Sequence, residues 1–214
     1  MKHLVSGLFL AALVAVSAAG PVASETREII VAGGCFWCVE ADFEKVPGVR
    51  EAISGYTGGT LANPSYKQVS RGGTGHYEAV RILYDDSRVS AEDLYALFFR
   101  SIDPTDAGGQ FCDRGDSYRT AIFANGPAQK RAAMAAKAQA QAALGQTIVT
   151  PVLQASRFWP AEPEHQDYYK GAGLVLTRFG PLKQSSAYKR YRKACGRDAR
   201  VRALWGSAAA FAGG

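Results

Sequence analysis

Apolar and polar positions alternate most clearly in "HYEAVRILYD" (76–85), where Glu78, Val80, Ile82 and Tyr84 share one face and predict a strand. Upstream, "REIIVAGG" (27–34) reads as a strand ending in a glycine turn. "CFWCVEADFEKVPG" (35–48) reads as a helix stopped by Pro47-Gly48. "VREAISGYTGG" (49–59) alternates and predicts another strand, and 60–75 is rich in turn residues. Ser90 caps a helix over 90–103, with an acid three residues on as in a capping box. A long polar loop (104–118) leads to a strand at 119–124. An alanine-rich helix follows at 126–145, with Pro127 in its first turn and Gly145 past its end. Pro151 lacks an amide donor and makes 147–156 an edge strand. The stretch "RFWPAEPEHQDYYKG" (157–171) is irregular, and 185–206 reads as one helix packed on the domain. "WGSAAAFAGG" ends the chain as a disordered tail over 206–214. Helices and strands without regular alternation predict a single α+β domain over 25–205, a two-layer mixed sheet with helices packed on it and an irregular C-terminal segment wrapping the core.

The first 24 residues follow a different pattern. Lys2 and His3 precede a short run of small and apolar residues from Leu4, then Pro21. That is the layout of a signal peptide cleaved between Ala18 and Ser24, and the run is short for a membrane span. The mature chain is therefore expected outside the cytoplasm, in a periplasm or beyond. Export changes how the net charge of +6 reads. Much of the excess lies in "YKRYRKACGRDARVR", and an exported protein seldom meets nucleic acid, so these residues read as a solvated helix face.

Export also changes how the four cysteines read, Cys35, Cys38, Cys112 and Cys195. Disulfides are permitted there, yet a chain of this length folds on hydrophobic burial, which frees thiols for chemistry. Cys35 follows Gly33-Gly34 and opens a predicted helix, whose free amides and dipole favour thiolate. Gly34 lets the backbone approach a ligand closely. Cys38 lies on the same helical face, within disulfide reach. Phe36 and Trp37 between them offer an aromatic wall suited to a thioether or methyl group. Zinc would want a second C-x-x-C, which Cys112 and Cys195 do not make, so no metal or other cofactor is expected. A structural disulfide and a thiol–disulfide oxidoreductase motif are the competing readings.

Beyond the cysteines, "GGCFWCVEADFEKVPGV", "SGYTGG", "NPSYKQV", "GTGHYEAVRI", "DRGDSYRTAIF" and "EHQDYY" follow one another from about residue 28 to 170. In that order they resemble the type A peptide methionine sulfoxide reductases. The resemblance implies a ferredoxin-like core and a substrate of methionine sulfoxide, free or in oxidised proteins, reduced at the S epimer. It implies Cys35 as nucleophile, Phe36 and Trp37 lining the methyl pocket, and a thioredoxin-like dithiol as reductant to what is expected to be a monomer. It carries the roles around the sulfoxide oxygen to Glu78, Tyr66, Tyr118 and Asp113. Physically, a sulfoxide oxygen leaves only once protonated; Glu78 in apolar surroundings would stay protonated near neutrality, and the tyrosines would donate hydrogen bonds. His165, in "EHQDYY", is expected at the pocket mouth. His76 shapes the "GTGH" turn. Many relatives have glycine where this chain has Cys38, which makes Cys38 the favoured resolving thiol and Cys195 the distal alternative. For Cys112 and Cys195, a bridge and two free thiols stand level.

Overall fold

The computed structural model describes residues 26–213, so the leader assigned to 1–24 lies outside the described residues. The alternating segments become β1 (Thr26–Gly33), β2 (Val49–Thr57) and β3 (Tyr77–Asp85), with α1 (Phe36–Phe43) crossing from the first to the second. A short helix, α2 (Tyr66–Ser70), interrupts the turn-rich 60–75. It escapes a periodicity reading because it is barely one turn long, although Ser65 and Gln68 form its capping box. Helix α3 (Ala91–Phe99) starts at Ser90, whose Oγ accepts from the Asp93 amide at 3.1 Å. The polar loop holds only the two-residue strands β4 (Gly109–Gln110) and β5 (Asp113–Arg114) before β6 (Thr120–Ala124).

β1, β2, β3 and β6 form the centre of one sheet in the order β6-β1-β3-β2, every neighbour antiparallel. With α1 between β1 and β2 and α3 between β3 and β6, this is the βαββαβ arrangement of a ferredoxin-like core. α4 (Gly126–Leu144) returns the chain so that β7 (Val152–Gln154) joins β6 in parallel at one edge, and β8 (Trp159–Pro160) pairs with β2 at the other. The main core lies between the sheet and its helices, with Val31, Val80 and Ile82 buried against Phe43, Leu94 and Phe98. Ala132, Ala133, Ala136 and Ala140 give α4 a thin buried face against that core.

The C-terminal region departs from expectation. Beyond the hairpin β9 (Leu174–Thr177) and β10 (Gly180–Lys183), the predicted single helix is two, α5 (Gln184–Ala194) and α6 (Arg197–Trp205). Gly196, at φ 72°, adopts the left-handed conformation between them and turns the chain. Over the described residues 206–213 the tail makes contacts with the domain. The Ala210 amide donates to the Arg100 carbonyl at 3.0 Å, and the Phe211 ring packs 5.6 Å from Phe43. One aromatic among alanines and glycines is enough to dock it, a signal that composition hides.

Candidate active site

Glu78 lies on the β3 face whose other members, Val80, Ile82 and Tyr84, are core residues, so the strand's own alternation buries its carboxyl. Oε2 accepts the Phe36 amide, the first of α1, at 3.0 Å. Oε1 is buried without a hydrogen-bond partner and belongs to the wall of a cavity of about 480 Å³. Burial pushes the carboxyl up to about 8; the Phe36 N–H opposes this, and the charges of Asp113 and Cys38 add to it. Near neutrality the group is a carboxylic acid with one oxygen left without a hydrogen-bond partner.

Cys35 is the N-cap residue of α1 and is partly exposed, whereas Cys38 is buried one turn on. The thiolate expected at Cys35 is not what its surroundings favour. The hydrogen bond to Cys38 raises Cys35 most, then burial, then the charges of Cys38, Glu78 and Asp113. The same hydrogen bond lowers Cys38, against burial, and Arg197 and Arg192 lower it further. Helix position fails to decide the matter because the first amide is committed to Glu78. The hydrogen bond between the two thiols thus raises Cys35 and lowers Cys38. Gly34 also plays a different part from the one expected. It lies at φ 81°, and a Cβ there would approach Gln110 Cβ to 2.6 Å, so it serves a turn packed on Gln110 and does not face the cavity.

Aromatic rings form the rest of the wall. Trp37 stacks on Tyr168 at 3.8 Å, and His165 lies 4.2 Å from Tyr66 and 5.7 Å from Trp37. Burial lowers the His165 imidazole against the pull of Glu162 and Glu164, so it faces the cavity neutral. Tyr66 and Tyr118, within hydrogen-bonding reach of each other, are both raised by burial and by Glu78, and keep their phenolic protons. The irregular segment that supplies His165 and Tyr168 is pinned by side chains acting as backbone. The Gln166 carboxamide accepts from the Ser54 amide at 3.0 Å and donates to its carbonyl at 2.9 Å. Buried Glu40 accepts from Ser54 Oγ and from the Asp167 amide. Glu162 takes the Tyr66 amide at 2.8 Å and the Tyr56 hydroxyl at 2.9 Å. His76 instead bonds the backbone of Gly59 and Leu61 and stays out of the cavity.

Cys112 and Cys195 form a disulfide at the cavity wall, so Cys195 is not a free thiol; Cys35 and Cys38 are. Asp113 lies beside the bridge, its carboxylate 3.6 Å from Cys195 Sγ, and burial raises it against Arg197 and Arg178. Behind Cys38, Arg192 binds Asp42 at 2.8 Å in full burial, and Arg197 reaches the carbonyls of Gly33 and Ser101 at 3.2 Å. Of the residues singled out from sequence, the fold gathers Cys35, Phe36, Trp37, Cys38, Tyr66, Glu78, Asp113, Tyr118, His165 and Cys195 around one cavity and leaves Gly34 outside it. Sequence reasoning misses Glu162, Arg192 and Arg197. Arg192 and Arg197 look like members of a solvated basic face until burial is known.

Among the described residues, two clusters could hold a metal ion: Cys112, Asp113 and Cys195, and Glu40, Glu44 and Asp167. The sulfurs of the first are bonded to each other, and Lys170 Nζ bridges Glu44 and Asp167 at 2.9 and 2.8 Å in the second.

A partly exposed thiol, a second thiol one turn away and a buried neutral acid around an aromatic slot define a thiol-dependent oxidoreductase site. The family is fixed by comparison with known proteins. Residues 27–206 match the family model of peptide methionine sulfoxide reductase. The chain is 50% identical over 187 residues to peptide methionine sulfoxide reductase MsrA 2 of Rhizobium meliloti, covering 87% of each. It is 44% identical over 202 residues to MsrA 2 of Caulobacter vibrioides, covering 93% of this chain and 96% of that one. Among solved structures, methionine sulfoxide reductase A of Corynebacterium diphtheriae superposes with a TM-score of 0.63 at 34% identity, over 68% of this chain and 74% of that one. Reduced Mxr1 of Saccharomyces cerevisiae gives 0.65 at 29%, over 72% and 88%. The chain belongs to the peptide methionine sulfoxide reductase family and is an oxidoreductase of the MsrA type.

Proposed function

We propose that this chain reduces the S epimer of methionine sulfoxide, free or in oxidised proteins, with Cys35 as nucleophile and Glu78 as acid. The observation that carries the reading is the partnerless, buried oxygen of Glu78, on a carboxyl neutral to about pH 8, in the wall that also holds Cys35. The sulfoxide methyl group packs among Phe36, Trp37 and His165, and its oxygen meets Glu78, Tyr66 and Tyr118. Cys35, its proton passed to the Cys38 thiolate as the bond to sulfur forms, attacks the sulfoxide sulfur while Glu78 protonates the oxygen. Methionine leaves, and Cys35 carries the oxygen as a sulfenic acid. Cys38 then attacks Cys35, expelling water and closing a Cys35–Cys38 disulfide, which a thioredoxin-like dithiol reduces. A thiol–disulfide oxidoreductase would leave Glu78, Tyr66 and Tyr118 without a shared purpose. Composition of the first 24 residues supports action outside the cytoplasm, and one chain carries every reacting group, so a monomer would suffice for the reaction.

The test is single-turnover release of methionine from the reduced protein. Wild type should act on the S sulfoxide and spare the R epimer. Cys35→Ser should release nothing, and Cys38→Ser about one methionine per enzyme before stalling. Continued turnover by Cys35→Ser would remove the nucleophile.

A further inference from the structure

Leu174 and Leu176 are 77% and 86% exposed, and they project from the same face of β9. A lone exposed leucine needs no explanation, but two on one strand beside a catalytic cavity do. The opposite face carries Val175, which packs against the cluster holding Cys38, Tyr168 and Ala187. Val175, Leu176 and Thr177 all contribute to the cavity wall, so the strand runs from the site to open surface.

The backbone of β9 is also unpaired on one side. In the β9–β10 ladder Leu176 faces Pro181 and Leu174 faces Lys183. Proline has no N–H, so Leu176 and Pro181 cannot be the mutually bonded kind of antiparallel pair. Such pairs alternate, which makes Leu174–Lys183 unbonded as well. The N–H and C=O groups of Leu174 and Leu176 therefore point away from β10, and among the described residues no third strand receives them.

From this we infer that the free edge of β9 binds the backbone of the oxidised polypeptide, which adds to the hairpin as an extended third strand. The inference rests on the sulfoxide reductase reading of the neighbouring cavity and assigns the part of the substrate outside it. An added strand takes its register from the backbone groups of Leu174 and Leu176, and its side chains alternate between the two faces. One substrate residue turns its sulfoxide side chain towards the cavity, and its neighbours lie over the exposed leucines. The site thereby selects extended segments with apolar residues flanking the methionine. Residues 174–183 carry Arg178 and Lys183 and no acid, so flanking lysines in the substrate are disfavoured.

The experiment compares kcat/KM for free methionine sulfoxide with that for a short peptide bearing leucine on both sides of methionine sulfoxide. The peptide's backbone amides are N-methylated one at a time. Methylation should cost about fivefold at amides that face β9, the worth of one hydrogen bond, and little at the amides between them. Leu174→Asp, outside the cavity wall, should lower turnover of the peptide and leave that of the free amino acid unchanged. A uniform response to methylation, with free sulfoxide still reduced, would overturn the docking edge and leave the reductase reading standing. A dimer that dissociates in Leu174→Asp while peptide turnover holds would assign the edge to a second copy of this chain instead. Failure of wild type to reduce either substrate would remove the reading beneath the inference, and the inference with it.

Discussion

The two sides of Cys38 are built from very different stretches of chain. On one side, α1 and β3 bring Cys35, Phe36, Trp37 and Glu78 together through the Phe36 amide on Glu78, all within residues 26–85. On the other, α5 and α6 return from the far end of the chain to set Arg192 against Asp42 and Arg197 against the Gly33 carbonyl. The first side supplies the hydrogen bond that lowers Cys38 most, and the second adds the charges of Arg197 and Arg192. A sequence motif therefore does not carry all of its own electrostatics; part comes from residues that share no motif with it.

If the near side does the chemistry, Glu78→Gln should produce the largest effect after loss of Cys35. Methionine release should fall about a hundredfold or more, the usual worth of a general acid, with KM little changed. Equal loss of binding would make Glu78 a binding group. On the far side, Arg192→Met leaves buried Asp42 without its closest partner. It should destabilise the protein by about 3 kcal/mol in denaturant unfolding and move alkylation of Cys38 to higher pH. The sign follows from the charge: Arg192 lowers Cys38, so removing it raises the pH at which the thiolate appears. An unchanged alkylation profile would leave Cys38 governed by Cys35 alone. The smallest effect belongs to the tail. Phe211→Ala removes the ring packed on Phe43 and should cost about 1 kcal/mol, with single-turnover chemistry intact.

The same division explains what could be read from sequence. Glu78 was legible because period-two alternation put it on the face of Val80, Ile82 and Tyr84, and that face is the core. The order of elements in the βαββαβ centre was legible from strand and helix signals, whereas its ferredoxin-like arrangement came only from the family resemblance. Helical composition on both sides of Gly196 hid the break, and that glycine was not read as a stop. Nor does a basic run reveal which arginines turn inward; Arg192 and Arg197 differ from Arg190 and Lys193 only in what they meet after folding. The raised resting thiol at Cys35 was not legible, for a related reason. Helix position was visible, but the commitment of the first amide to Glu78 was a long-range contact.

Central to the account is a carboxylic acid kept neutral in a cavity beside a thiol pair. Infrared difference titration of the reduced protein, with Glu78→Gln as the blank, reports that proton directly. Burial raises the group, so its protonated form should persist at neutral pH, and its carboxylic acid band should disappear as pH rises through about 8. A Glu78 carboxylate already fully ionised at neutral pH would contradict the mechanism.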